Sequence, residues 1–143
     1  MRRPVAVALL GLYSAVVVLV VAWPSPIDRD QEGNITRVLG VLHAWGLPRW
    51  FDYLALEFTA NIGMFVPLAF LLGLALPVRL GWVPFVAGPA VSVTIEVAQF
   101  LLLPERFGTP RDVLSNSIGA VIGGLLAIVV HPMLDVRLAR KLA

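Results

Sequence analysis

The chain has 143 residues, 59% of them apolar, a formal charge of +2 and no cysteine, and its mean hydropathy is +0.88. The length fits one domain, 1–143, while the apolar excess argues against a water-soluble fold and for membrane-spanning helices, each needing about 20 residues to cross roughly 30 Å of hydrocarbon. The small charge leaves no nucleic-acid footprint, and without cysteine there is no disulfide, thiolate zinc site or thiol nucleophile.

Four spans are expected, which makes the fold class an all-α polytopic membrane protein with a small four-helix bundle. The first runs from about Val5 to Trp23. Arg2 and Arg3 precede it, and Val20, Val21 and Ala22 resemble a signal-peptide cleavage site. The apolar run exceeds the 7–15 residues usual for such a segment, so an uncleaved anchor is the better reading.

The loop that follows is not featureless. Pro24 and Pro26 stop the first helix. Asn34 is a candidate cap, and Ile35, Val38, Leu39, Leu42 and Trp45 repeat at helical spacing. Gly46 and Pro48 close the segment. A short amphipathic helix is expected here, lying on the outer leaflet or over the bundle.

The second span runs from about Tyr53 to Leu76, the third from about Trp82 to Leu103, and the fourth from about Val113 to Met133. Trp23, Trp50 and Trp82 fall at span ends, where tryptophan anchors helices at the membrane interface. With the N-terminus cytoplasmic, that side collects Arg2, Arg3, Arg79, Arg137, Arg140 and Lys141. The outer side collects Arg29, Arg37, Arg49, Arg106 and Arg111, mostly in a long loop where the positive-inside rule counts for less. Both termini are therefore expected in the cytoplasm.

Polar residues interrupt three of the spans. Glu57 and Asn61 are spaced i, i+4 in the second. Ser92, Glu96 and Gln99 follow at i, i+4 and i, i+7 in the third, and Asp112 and Asn116 at i, i+4 in the fourth. Each set shares one helix face. A central charge costs roughly 2.5–3.5 kcal/mol on insertion scales, so such stripes turn inward. By rise along the helices they occupy roughly the outer 5–15 Å of the membrane. The inner half carries little beyond His131. That asymmetry predicts a polar cavity open to the outside.

Pro67, Pro84 and Pro89 lie in the second and third spans, where proline frees carbonyls and permits kinks. Gly119 and Gly123 form a G-x-x-x-G surface on the same face as Asp112 and Asn116, fit for close helix packing. Between the third and fourth spans, Arg106 and Arg111 suit phosphate or carboxylate. Salt bridges from Arg106 to Glu96, and from Arg111 to Glu105 or Asp112, are the structural alternatives.

With these residues placed, the chain resembles the VanZ-like family of small bacterial membrane proteins. The resemblance rests on Glu57, Asn61, Phe65 and Pro67, and more firmly on the order and spacing of Glu96, Gln99, Arg106, Asp112, Asn116, Gly119 and Gly123. It covers about 53–128, with the first span as an anchor. Two positions depart from the family pattern: Ala69 replaces a glycine and Thr109 replaces an acid. The resemblance implies a multi-pass protein of the bacterial plasma membrane, in a family that takes its name from a protein linked to low-level teicoplanin resistance, and carries no settled activity.

Three functions follow as expectations. In the first, an outward cavity lined by Asn61, Glu96, Gln99, Asp112 and Asn116, with Arg106 pairing an anion, recognises a membrane lipid or a lipid-linked envelope precursor. In the second, Glu57, Glu96 and Asp112 act as catalytic acids and bases or hold a divalent cation on such a substrate; no convincing nucleophile accompanies them, and Ser92 and Ser115 are candidates by elimination. In the third, the stripes are interhelical hydrogen bonds of a partner subunit. No cofactor and no resident metal site is expected, and a homo-oligomer or membrane complex is compatible with all three.

Overall fold

A computed structural model describes residues 2–22, 32–103 and 109–142, with side chains over 3–22, 33–103 and 109–131. Five helices follow in order: α1 (Arg2–Val21), α2 (Glu32–Ala44), α3 (Tyr53–Ala75), α4 (Val83–Leu102) and α5 (Pro110–Leu142), with a 3-10 turn at Val78–Leu80 between α3 and α4. Four are long and apolar enough to cross a membrane, over Arg3–Val21, Tyr53–Ala75, Val83–Leu102 and Pro110–His131. The expected all-α, four-span architecture is present, with ends shifted by a few residues.

Local chemistry sets several of those ends. Asp52 caps α3, its carboxylate accepting from the Ala55 amide at 3.0 Å, as a side-chain oxygen does for the unpaired first-turn amides. Pro84 lies at the start of α4, where its missing N–H costs nothing, whereas Pro67 and Pro89 stand inside helices. The fourth span starts three residues earlier than its hydropathy predicts. Thr109 caps α5 through its side chain, with Pro110 in the first turn. The Asp112 amide donates to Thr109 Oγ1 at 3.2 Å, and Thr109 Oγ1 donates to Asp112 Oδ2 at 2.9 Å.

The helix of the first loop begins at Glu32, before Asn34. Asn34 is therefore inside α2 and not its cap. α2 packs only lightly, against α3. Leu39 is buried, while Val38, Val41, Leu42 and Trp45 are exposed. Among the described residues, most of its apolar side is left uncovered.

The core is the α3–α5 interface, the most extensive in the molecule. Phe65, Ala69 and Ala120 are buried together, with Met64, Leu68 and Ile95 packed around them. Gly119 and Gly123 make the approach close. A Cβ on Gly119 would strike the Ile62 carbonyl and come within 2.8 Å of Phe65 Cβ. On Gly123 it would strike the Val66 carbonyl and come within 2.9 Å of Ala69 Cβ. The methyl of Ala69 therefore occupies space that Gly123 leaves open. Ala120 meets Gly88 of α4 in the same manner. Of the apolar window of α5, 39% is buried, against 11–17% in the other spans, so α5 is the central helix. α1 packs along α3 and touches α4 little.

Candidate functional site

The C-terminal ends of α1 and α4 and the N-terminal ends of α3 and α5 meet at one end of the bundle. They enclose a cavity of about 210 Å³ lined by Glu57, Asn61, Glu96, Gln99, Asp112 and Asn116, with Val20, Val21, Ala60, Met64 and Ile95 as its apolar wall. The helical spacings put these groups on shared faces, and the close α3–α5 packing turns two of the faces toward each other. Five of the six residues expected to bind a ligand line this one cavity. The sixth, Arg106, lies outside the described residues.

Each polar group has a distinct setting. Asp112 is held on both oxygens: Asn61 Nδ2 donates to Oδ1 at 2.9 Å, and Thr109 donates to Oδ2. It ties α3 to the first turn of α5, and a carboxylate near a helix N-terminus is favoured by the aligned peptide dipoles. Ser115 Oγ, fully buried, donates to the Asp112 carbonyl at 3.0 Å.

Gln99 Nε2 donates to the Val21 carbonyl at 2.9 Å. That carbonyl belongs to the last residue of α1, where the helix itself supplies no donor. Asn116 Nδ2 donates to Ser92 Oγ at 2.8 Å. Both residues are buried, Ser92 completely and Asn116 to 4% exposure, and Asn116 Oδ1 has no hydrogen-bond partner. Turning the amide over exchanges its two ends and leaves Nδ2 over instead. Glu57 is exposed at the rim, and Glu96 is half-buried. Among the described residues, no three His, Asp or Glu side chains come together as a metal-binding group.

Arg111 turns toward α3. Its guanidinium donates to the Leu54 carbonyl and lies 5.7 Å from the centroid of the Phe58 ring, within cation–π range. Asp112 is already engaged by Asn61 and Thr109, so Arg111 clasps the start of α3 instead. Glu105, its other expected partner, is outside the described residues. Thr109, where the family pattern has an acid, is the cap of α5.

Several contributors to the site escape sequence reasoning. Tyr13 donates from α1 to the Met64 carbonyl of α3 at 3.0 Å, fastening α1 beside the cavity. A lone tyrosine in an apolar run gives no spacing signal. The use of Gln99 as a cap for α1 is equally silent, because its partner is a backbone carbonyl 78 positions away.

At the opposite end, a second cavity of about 300 Å³ is lined by Arg79, Trp82 and His131 among apolar neighbours. Among the described residues, the clustering of acids and amides is at the first end.

Fold and site together define a small polytopic helical membrane protein with a polar cavity at one end of its bundle. The VanZ/LLP1 family profile matches residues 10–131, and the chain belongs to that family. The match is wider than the 53–128 expected and takes in most of α1. No curated protein and no solved structure matches the chain.

Proposed function

We propose that this protein is a bacterial envelope protein that holds the polar head of a membrane lipid or lipid-linked cell-wall precursor in the end cavity, on the external side of the plasma membrane. The observation that carries this reading is the gathering of three carboxylates and three amides from three helices around one space of about 210 Å³. Polar groups are costly at membrane depth and are kept where they serve a site.

The size and charge of the cavity narrow the ligand. It falls below the roughly 300–1,000 Å³ of pockets that enclose a whole drug-sized molecule, so it suits part of a head group. Three carboxylates repel a phosphate, and amides with carboxylates suit hydroxyl and amide groups. The neutral hydrogen-bonding part of the head goes into the cavity. Its anionic part is left to Arg106, the basic residue that the sequence places before α5. Asp112 accepts two hydrogen bonds within the protein, which favours a positioning role over proton transfer and places catalysis behind binding.

The external orientation rests on the distribution of Arg and Lys and puts both termini in the cytoplasm. Sequestering or altering exposure of a wall precursor there is a direct route to lower sensitivity to a lipoglycopeptide such as teicoplanin.

Native mass spectrometry of gently solubilised protein tests the binding. Wild type is expected to carry one lipid of defined mass, and Arg106→Ala to lose it while keeping its thermal unfolding temperature. Wild-type protein that carries only exchangeable bulk lipid would overturn the reading.

A further inference from the structure

A second space opens directly from the polar cavity. It is an apolar cleft of about 290 Å³ walled by α1 and α4 and backed by α3. Leu10 and Val17 line it on α1, Leu72 on α3 and Val91 on α4, while Val21 and Ile95 line both spaces. We propose that this groove holds one hydrocarbon chain of the lipid whose head occupies the polar cavity, so that the ligand is recognised at both ends; this rests on the head-binding reading above.

The dimensions select the occupant. Leu10 and Val21 are separated by about 17 Å of helix rise, close to half of the roughly 30 Å hydrocarbon thickness. The groove therefore runs through one leaflet, starting at the polar end. The groove is apolar along its length and shares Val21 and Ile95 with the polar cavity, which suits one hydrocarbon chain lying beneath a head group. The flank is open to the bilayer, because α1 packs along α3 and touches α4 little. The head end also has an unmet polar group, one end of the buried side-chain amide of Asn116, a residue that lines the cavity. An amphiphile entering between α1 and α4 would place its polar head in the cavity beside Asn116 and its chain in the groove.

The test uses the full protein in nanodiscs of phosphatidylethanolamine and phosphatidylglycerol. The probe is a phosphatidylglycerol with a diazirine midway along one acyl chain. After illumination, crosslinks are expected to be several-fold richer at Val17 and Val91 than at Val93 and Val129, which are exposed outside the groove. Ala87→Phe on one wall and Ser14→Phe on the other should each abolish the excess, which guards against a single variant that fails to fold. Equal crosslinking at all four positions overturns the proposal, because the groove then fills like any other lipid-facing surface. The paired change Ser92→Ala with Asn116→Leu separates the two claims. An excess that both groove variants abolish and the paired change leaves intact supports the groove and overturns the head site. A lipid that wild type retains in native mass spectra and the paired change loses, with equal crosslinking, supports the head site and overturns the groove.

Discussion

At the scale of single residues, the site is defined by which polar groups are already satisfied. Asn116 and Ser92 are joined across α5 and α4 in a fully buried position. Removing one partner strands the other, at a cost of about 1–3 kcal/mol, whereas removing both is nearly neutral. Asn116→Leu or Ser92→Ala alone is therefore expected to lower the unfolding temperature, and the pair to recover most of it, measured by thermal unfolding in detergent. Asp112 combines a helix cap with the Asn61 tie, so Asp112→Ala should cost about 1–3 kcal/mol. Asp112→Asn should retain more of that stability, and denaturant or thermal unfolding would measure both. Of these contacts, the sequence announced the participants but not the pairings. Helical spacing placed Asn61, Asp112 and Asn116 on inward faces. Which donor meets which acceptor depends on the relative rotation of helices, which no single-helix pattern contains. Arg111 shows the consequence: its neighbour in sequence is a carboxylate, yet its guanidinium goes to Leu54 and Phe58.

At the scale of elements, small residues decide how near α5 comes to its partners. Lipid tails are as apolar as leucine, so helices in a membrane associate through close packing and not through burial from water. Gly123→Val would force branched carbons against the Val66 carbonyl and the Ala69 methyl. Overpacking of this kind costs about 1–3 kcal/mol or more. It should also spread Asn61 from Asp112, so Gly123→Val is expected to reduce lipid retention as well as unfolding temperature. Gly124→Ala on the adjacent face, where a flexible Phe85 ring is the neighbour, should be tolerated better. The four spans were legible because apolar runs of this length have few alternative readings. The ends were less legible, because the Thr109 cap of α5 extends the helix outside its apolar run. The loop helix was found by its periodicity, but the position of Asn34 misplaced its start.

At the scale of the molecule, the bundle is asymmetric. One end gathers acids and amides from α3, α4 and α5 over the capped terminus of α1. The middle offers an apolar groove. The opposite end carries Arg79 and His131. The sequence foretold the asymmetry through the depth of each polar residue, since a residue number along a span is also a height. It did not foretell the groove, which exists only because α1 leans on α3 and leaves α4 uncovered. The account as a whole depends on the polar end being wet and facing away from the cytosol. The chain has no cysteine of its own, so a single introduced thiol reports its surroundings cleanly. Ala60 is exposed and lines the polar cavity; Val78 is exposed at the other end. Intact cells carrying Ala60→Cys or Val78→Cys can be treated with a membrane-impermeant maleimide. The expected result is labelling of Ala60→Cys from outside and of Val78→Cys only after lysis. Labelling in the reverse order, or an Ala60→Cys thiol that stays unreactive even in lysed cells, would contradict the account.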